Sequence, residues 1–550
     1  MPGLTLEQTY PDVLTGIQGD FWLQDPVLDN AILESCMHSL DQSNTSPVDA
    51  PSDRVVSTSE HLGQDLPSIV CGLTGDMDPY LMRRYNFDSD DTFVFKRLAI
   101  RSVSKETHPV QFLVSAIQEA EDTNKEMIRT QIDDLISLDI GIRLISLFSK
   151  YVGPHIAVFI SAIPSDPMQI EPSLLAAVYL LALPFAGNDD YLSVQIAYDL
   201  PDATKLWDLA STGVLQQLHQ PNFSTLQTLI LLLVAPPQKL LMPDYATKWS
   251  LVGIMVTVSQ TLGLQHDPSH WDISPAKVQL RNRLSWSVKM IDVWYAAVLG
   301  RSCLVREDDW LVPEPRAGEV TASDSPKMLP THLVHMYKLT SILHTTLTTF
   351  FSLRAIQALA TDYQTTLQKA QVLMEELNRW NAIIAGIQST AELNDLDPLG
   401  PMLLGGHVVK VLLFRAILRP FQERPGSPST ATSNDHRKIE ARRLSRTGAK
   451  SCVASFTAFT SDLKSTWTHG FWPFWCALGW STLCNLALLL YATAQDTEEA
   501  QECRLLLDRA RQIVRLQSKS LDILRFPLLR IDSIFWKGLE NVLTTDWQQL

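Results

Sequence analysis

The strongest constraint on the fold is a long apolar stripe at helical spacing in the middle of the chain. Between about Ala276 and Leu299, large apolar residues recur at steps of 4, 4, 3, 4 and 3: Leu280, Leu284, Val288, Ile291, Tyr295 and Val298. Ser274-Pro275 supplies an N-cap and a proline for the first turn, and Gly300 supplies a stop. The pattern predicts a helix over this stretch with one apolar face buried.

Similar stripes continue over most of the chain from about residue 131. They cover residues 248–262, 331–353, 355–388, 403–418, 451–465, 476–492 and 498–524. Runs of Val, Ile and Thr joined by Asn-Gly or Asp-Gly turns, the usual signal for β-hairpins, do not occur. The predicted fold class is therefore all-α: a large multi-helix array with a disordered acidic N-terminal segment.

Composition divides the chain into five predicted parts. They are an acidic, largely disordered head (1–65), a transitional segment that packs on the body (66–130), a helical regulatory domain (131–420), a low-complexity loop with a basic cluster (421–450), and C-terminal helices packed on the same body (451–550). The longest apolar run, Cys476–Ala492, is too short and too polar for a membrane span and predicts a buried helix. We expect a soluble, intracellular protein.

Charge is unevenly distributed. The chain carries 45 bases and 60 acids, a formal net charge of −15. Residues 1–80 contain thirteen acids and one base, so this segment accounts for −12 of the total. A wholly basic nucleic-acid binder is therefore excluded.

One stretch of the acidic head has helical periodicity. Asp25-Pro26 is typical of a helix start, and acids alternate with the apolar residues of a short amphipathic helix at 26–40. Such a helix is marginal alone. It either docks on the core of its own protein or acts as an acidic-hydrophobic activation segment that folds against a partner. The apolar residues of that segment are Phe21, Trp22, Leu28, Ile32, Leu33 and Met37.

A basic cluster follows the Ser/Thr/Pro-rich residues 425–434. Its members are Arg437, Lys438, Arg442, Arg443, Arg446 and Lys450, with Glu440 as the one acid among them. Two interpretations stay open: a solvated helix face, or a nuclear import or phosphate-contacting segment, for which Arg437, Lys438, Arg442, Arg443 and Arg446 are the candidates.

The signatures of catalytic and metal centres are missing. The seven cysteines include no Cys-x-x-Cys pair, so the printed sequence contains no zinc ligand set and we expect no cofactor. His266 and His270 have metal-like spacing, but Pro268 lies between them and predicts a turn. No Gly-x-Ser-x-Gly, Walker or His-Glu-x-x-His motif occurs. We therefore do not expect an enzyme.

A specific motif block lies between residues 245 and 315. In chain order its residues are Gly263, Leu264, His266, Asp267, Arg281, Arg283, Trp286, Asp292, Gly300, Arg301, Asp308 and Pro313. This order and spacing resembles the middle homology region of fungal zinc-cluster transcription factors, also called the fungal-specific transcription factor domain. Segments at Leu144–Pro154, Leu403–Pro420 and Phe471–Pro473 extend the resemblance over roughly 130–550. The zinc cluster itself is missing from the printed sequence.

The resemblance implies a nuclear transcription regulator without its own DNA-reading zinc module. Such a protein would reach DNA through a DNA-bound partner, or through a zinc cluster that was lost or is encoded upstream. It would contact the transcription machinery or another regulator, form homo- or heterodimers, and have no contact with membranes. The alternative is a non-catalytic helical scaffold or small-molecule-binding protein whose many tryptophans line a pocket.

The charges of the motif block have predicted partners. Arg281 and Arg283 fall in the first turns of the predicted helix, where the macrodipole disfavours cations, so we expect them to pair with Glu307, Asp308 or Asp309. Asp292 sits among apolar residues and requires a partner such as Arg301. In the resembling family Ser285 is often an aromatic residue and Ser302 a proline; we expect both changes to lie on loops or at the surface.

Overall fold

Apolar residues at helical spacing place most of the chain in helices, with one small sheet near the N-terminal side. The computed structural model describes residues 68–95, 98–104, 108–115, 120–156, 158–160, 163–196, 199–237, 245–315, 330–390, 398–422 and 436–545. All of them fall within the unit Leu62–Leu550. The predicted activation segment therefore lies outside the described residues.

The first described elements form a four-stranded antiparallel sheet in the order β1-β4-β3-β2. The strands are β1 (Ser68–Val70), β2 (Thr92–Phe95), β3 (Leu98–Ser104) and β4 (Val110–Ser115), and the short helix α1 (Pro79–Met82) precedes β2. Phe112 of β4, Val103 of β3 and Trp271 form a small apolar cluster of their own. No sheet was predicted here, because Lys96-Arg97 between β2 and β3 is not an Asn-Gly or Asp-Gly turn.

The residues that follow this sheet in the chain form two apolar cores. Helices of the first half build the first core: α2 (Ala120–Leu135), α3 (Leu138–Leu147), α4 (Pro172–Ala182), α5 (Leu192–Gln195), α6 (Ala203–Gln216), α7 (Phe223–Val234) and α8 (Tyr245–Thr261). A π-helical turn, Phe148–Val152, continues α3.

The predicted central helix is α9 (Pro275–Leu299), and its boundaries are confirmed. Ser274 is its N-cap, Pro275 occupies the first turn, and Gly300 ends it with φ +66°. The predicted stripe contributes Leu284, Val288, Ile291 and Tyr295 to the first core. The other side of the helix contributes Met290, Val293 and Trp294 to the second core. Helix α9 therefore belongs to both cores.

Helices of the second half complete the second core. They are α10 (Thr331–Phe350), α11 (Leu353–Ala358), α12 (Tyr363–Thr390), α13 (Leu399–Leu418), α14 (His436–Ser461), α15 (Ser465–Thr468), α16 (Trp475–Ala492), α17 (Thr497–Gln517), α18 (Arg525–Lys537) and α19 (Leu539–Val542). Two segments, Leu399–Phe421 and Trp475–Ala492, are long and apolar enough to cross a membrane. They are 72% and 78% buried within the fold, so both pack here as core helices.

A buried lysine of α8 caps the C-terminal end of α7. Lys248 of α8 is 1% exposed, and its Nζ donates to the carbonyl oxygens of Leu232 (2.6 Å), Leu233 (3.3 Å) and Ala235 (2.8 Å). Those carbonyls end α7 and have no partner within the helix. The ammonium also suits the negative end of the α7 dipole.

Two further donors complete this C-terminal cap. The Tyr295 hydroxyl of α9 donates to the Leu233 carbonyl, and the Phe474 N–H donates to the Val234 carbonyl at 3.0 Å. The Lys248 ammonium also lies 4.6 Å from the centre of the Trp207 ring. The end of α7 is thereby bonded to three different parts of the chain.

Replacing Lys248 with Met should test this cap. The variant keeps the apolar stem but leaves buried carbonyls without a donor, so we expect the free energy of unfolding to fall by about 2–4 kcal/mol. Urea denaturation followed by circular dichroism measures it. The control is Lys205→Met on α6, an exposed lysine, for which we expect a change within about 0.5 kcal/mol. Equal effects of the two changes would contradict the capping role.

Candidate functional site: the motif block around helix α9

The block begins with the turn that ends α8. Gly263 has φ +69°, and a Cβ at this position would lie 3.0 Å from Phe112 of β4. The Gly263 N–H donates to the Gln260 carbonyl, and the Leu264 N–H to the Ser259 carbonyl. Gly263 thus ends α8 in the left-handed conformation, and the apolar Leu264 follows it. Glycine is required here twice, for its backbone conformation and for the close approach of the sheet.

His266 and Asp267 follow in a tight turn, as predicted. The Asp267 carboxylate accepts from the Ser269 N–H at 3.0 Å. The His266 ring lies 5.5 Å from that of His108, which precedes β4. Burial, together with the charges of His108 and Arg281, lowers the pKa of His266 to about 4. At neutral pH His266 is therefore an uncharged ring between the sheet and α9.

Arg281 lies in an aromatic cage instead of an ion pair. Its guanidinium lies 4.8–5.2 Å from the ring centres of Trp271, Phe112 and Phe223. Its Nη1 donates to the Leu262 carbonyl at 2.9 Å. Burial lowers the pKa of Arg281 to about 9, so the side chain stays charged at neutral pH. Among the described residues no carboxylate is within ion-pair distance of it, so the prediction of an acidic partner was wrong.

Arg283 also bonds to backbone carbonyls. Its Nη1 donates to the Phe159 carbonyl at 2.6 Å and to the Ile160 carbonyl at 3.4 Å. The predicted partner Glu307 is bonded elsewhere, to Lys289 and His344. Arg281 and Arg283 therefore both donate to backbone carbonyls of segments that precede α9 in the chain. The prediction that Glu307 pairs with them was wrong.

Residues 301–314 form a strap that runs back along α9 after the Gly300 stop. Three side chains of α9, spaced by three residues, hold it at successive points. Trp286 Nε1 donates to the Pro313 carbonyl at 2.8 Å, and Lys289 Nζ lies 2.9 Å from the Glu307 carboxylate. The Asp292 carboxylate accepts from the Leu304 and Val305 N–H groups at 2.9–3.1 Å. Because residues at i, i+3 and i+6 share one helix face, this face is the site of the strap.

Asp292 therefore binds backbone N–H groups of the strap. It does not bind Arg301, which was its predicted partner. The carboxylate is fully buried, and Arg301 is exposed at the helix end. Burial raises the pKa of Asp292 to about 6, although the N–H bonds from Val305 and Leu304 lower it. The buried charge is stabilised by backbone dipoles that the strap would otherwise leave unbonded.

Helix α10 holds the other side of the strap. His344 Nδ1 lies 3.2 Å from the Glu307 carboxylate, and Ser341 Oγ donates to the Glu314 carboxylate. Burial lowers the pKa of His344. Asp308, by contrast, is exposed. The contacts of the block are internal to the fold, so the arrangement joins α9, α10 and the sheet.

Comparison with known proteins agrees with this geometry. A family model described as the fungal specific transcription factor domain matches residues 147–382. Over these residues the chain is similar to that domain. The match begins at the end of α3, ends within α12, and includes the whole motif block. The resemblance that was inferred from the block is thereby confirmed.

Several curated relatives are named as regulators of transcription. An uncharacterized transcriptional regulatory protein of Schizosaccharomyces pombe is 26% identical over 306 residues, which are 52% of this chain and 45% of the relative. The transcriptional activator protein DAL81 of Saccharomyces cerevisiae is 22% identical over 521 residues, 85% of this chain and 51% of the relative. The chain thus spans about half the length of these two relatives. No solved structure matches it.

Ser285 and Ser302 are the two departures from the family pattern. Ser302 is exposed on the strap, as expected. Ser285 is fully buried on α9, so the prediction of a surface position was wrong for it. The domain therefore accommodates a small polar residue within its core at this point.

The tryptophans of the domain and its C-terminal helices pack against one another. The Trp294 and Trp475 rings stack at 4.1 Å, and those of Trp472 and Trp480 lie 4.9 Å apart. Trp294 and Trp480 are fully buried. Aromatic core is thus the structural role of these four, and the alternative of a tryptophan-lined ligand pocket is not favoured.

The basic cluster lies on about the first four turns of α14 and divides into two sets. Arg446 is 4% exposed and donates to Glu499 (2.8 Å), Thr493 (2.9 Å) and the Leu490 carbonyl (2.8 Å). Lys450 bonds to Glu502 of α17. Arg437 and Lys438 are exposed, and the exposed Arg443 pairs with Glu440. Arg446 is therefore a core residue and is not available for an import or phosphate-contacting role.

The cage predicts a difference between two cations of equal charge. Arg281→Lys keeps the charge but loses the planar group that stacks on three rings, so we expect it to lower the free energy of unfolding by about 1–2 kcal/mol. The control Arg301→Lys, at the exposed helix end, should change it by less than about 0.5 kcal/mol. Urea titration measures both. A tolerated Arg281→Lys change would show that charge alone matters at this position.

From the contacts of the strap we expect that the fold needs Asp292 as a hydrogen-bond acceptor and does not need its negative charge. Asp292→Ala leaves the Leu304 and Val305 N–H groups unbonded and should lower the free energy of unfolding by about 2–3 kcal/mol, whereas Asp292→Asn keeps an acceptor and should stay within about 1 kcal/mol of wild type. Because burial raises the folded-state pKa to about 6, wild type should gain stability relative to Asp292→Asn as the pH falls from 7 to 5. Denaturant titration at both pH values checks this. An opposite pH trend would contradict the assignment.

Proposed function

We propose that this chain is a regulator of transcription that acts in the nucleus. The observation that supports the proposal most directly is the fungal specific transcription factor domain at residues 147–382, which contains the complete α9 strap. The names of the relatives agree with it. The charged groups of the motif block bind neighbouring helices and loops. This arrangement favours a regulatory domain over a catalytic site.

Promoter recognition is proposed to come from outside these 550 residues. The printed sequence has no Cys-x-x-Cys pair, so it cannot supply the paired ligands of a six-cysteine zinc cluster. A DNA-bound partner, or a zinc cluster encoded upstream, would provide sequence-specific contacts. The chain would then act on transcription as a recruited body, alone or as a homo- or heterodimer.

The acidic head is the proposed contact with the transcription machinery. Its apolar residues alternate with acids, as in segments that fold against an apolar groove of a partner. For nuclear import we propose the exposed part of the basic cluster, Arg437, Lys438 and Arg443. Arg446 is no longer part of it, because it is bonded inside the fold.

A reporter fusion tests the proposed function. We expect residues 1–550, fused to a heterologous DNA-binding domain, to change reporter expression severalfold relative to that domain alone. Ile32→Ser with Leu33→Ser should remove the effect, because the segment loses its apolar anchors. Gln24→Ser with His38→Ser, at polar positions of the same stretch, is the matched control. A silent fusion with normal protein levels would favour the inert scaffold.

A further inference from the structure

Helix α17 carries a stripe of exposed residues on the side opposite its core. Leu505, Arg509, Gln512 and Leu516 follow one another at steps of 4, 3 and 4, so they share one helix face. All four are exposed, the two leucines by 71% and 51%. The residues that α17 buries lie about half a turn away: Ala500, Cys503, Leu507, Ala510 and Val514. This exposed stripe is about 17 Å long.

Trp536 of α18 adds a large ring beside the exposed stripe. Asp532 of α18 accepts from Arg515 of α17 at 2.8 Å, and the Phe535 ring centre lies 5.0 Å from the Arg504 guanidinium. Since residues four apart share a helix face, Trp536 lies on the side of α18 that meets α17. Its side chain is 71% exposed. The apolar surface therefore extends from one helix to the next.

The exposed stripe leads at Leu505 into a groove of about 440 Å³. The groove is lined by Tyr491 of α16 and by Thr497, Ala500, Gln501, Arg504 and Leu505 of α17. Helices dock on other proteins by placing apolar side chains, one turn after another, into grooves of this kind. The stripe and the groove together offer such a helix several apolar contacts in line.

The surroundings of the exposed stripe are positively charged, although the chain as a whole is acidic. Residues 504–537 contain eight bases and three acids, a net charge of +5 in a chain of −15. The three acids pair with arginines: Asp508 with Arg504, Asp522 with Arg525, and Asp532 with Arg511 and Arg515. Arg509 is exposed in the middle of the stripe. Glu498, an exposed acid on this face, lies about two turns before Leu505, so the positive surface begins at Leu505.

A second pair of exposed apolar residues shows what distinguishes the exposed stripe. Val372 and Ile383 of α12 are spaced as Leu505 and Leu516 are, and they are 61% and 49% exposed. Helix α12 carries two bases and two acids, so its net charge is zero. Both helices therefore expose apolar side chains at the same spacing, and α17 alone of the two places them within an excess of positive charge.

We infer that the exposed stripe of α17, together with Trp536, binds an acidic amphipathic helix of a partner protein. The apolar side chains of that helix would pack on the leucines and Trp536, and its carboxylates would meet Arg509 and the neighbouring cations. The inference rests on the proposed function, in which a DNA-bound partner recruits this chain, and it assigns the surface that such a partner contacts. Because the charges are exposed, salt weakens the contact.

Fluorescence anisotropy of a labelled peptide tests this surface on the full chain. The acidic peptide consists of about 20 residues of Ala, Leu and Glu, long enough to form a helix, with leucines at the spacing of the exposed stripe. In the control peptide Lys replaces every Glu. We expect micromolar binding of the acidic peptide at low salt and at least about tenfold weaker binding of the lysine peptide.

Three variants locate the binding. Leu505→Ser with Leu516→Ser should weaken binding of the acidic peptide at least about tenfold, because both apolar anchors are lost. Arg509→Glu should weaken it about fivefold and strengthen binding of the lysine peptide. The matched control, Val372→Ser with Ile383→Ser, should bind as wild type does. Thermal melting confirms that each variant folds.

Several outcomes would overturn the inference. Among them are no binding of the acidic peptide by wild type, equal binding of the two peptides, and equal losses in the two serine pairs. Sedimentation of wild type as a dimer that Leu505→Ser with Leu516→Ser converts to a monomer would assign the stripe to a second copy. Tighter peptide binding by Ile32→Ser with Leu33→Ser would assign it to the acidic residues of the same chain.

The reporter fusion keeps this inference separate from the proposed function. The fusion is held on DNA by its heterologous domain, so Leu505→Ser with Leu516→Ser should leave it active. An active fusion without stripe-dependent peptide binding would refute the inference alone. A silent wild-type fusion with stripe-dependent peptide binding would refute the proposed function and leave the binding surface standing.

Discussion

Helix α9 is buried on two sides, and this constraint decides how its polar side chains are bonded. One side belongs to the first core and the other to the second. The charges on its buried sides cannot turn toward water, and burying two opposite charges as a pair has a large desolvation cost. The structure bonds three of these charges to backbone atoms, which need partners in any case. Arg281 and Arg283 donate to carbonyls, and Asp292 accepts from N–H groups.

The same solution appears where other segments end. Lys248 and Tyr295 bond the carbonyls that α7 leaves open. Arg419 donates to the Phe350 carbonyl at the end of α10, and Arg446 to the Leu490 carbonyl near the end of α16. Each of these bonds satisfies a helix terminus and joins it to a different helix. In a large helical array with many ends to bury, side chains that cap a neighbouring helix connect helices in addition to apolar contact.

Prediction from sequence succeeds for α9 and for the family, and fails for the partners of individual charges. Ser274, Pro275, Gly300 and the stripe between them are local signals, so the helix bounds follow from nearby residues. The acceptors of Arg281 and Arg283 are backbone atoms of Leu262 and Phe159, and every sequence position offers such an atom. Sequence spacing therefore predicted acids such as Glu307 as the partners of these arginines. In the structure Glu307 pairs with Lys289 and His344 instead. The sheet is missed for a different reason: β2, β3 and β4 are joined without Asn-Gly or Asp-Gly turns, and β1 pairs with β4, which is distant in sequence.

The basic cluster shows how burial sorts charges of one sequence run into different roles. Spacing places Lys438, Arg442 and Arg446 on one helix face, and the structure confirms that helix. The face passes from open surface to core within three turns, because α13 and α17 reach it only from Arg442 onward. Arg446 is consequently a cap and an ion-pair partner, while Arg437 and Lys438 carry charge that no described neighbour neutralises. Burial is thus the physical difference between Arg446, which holds the fold together, and Arg437 and Lys438, which lie at the surface.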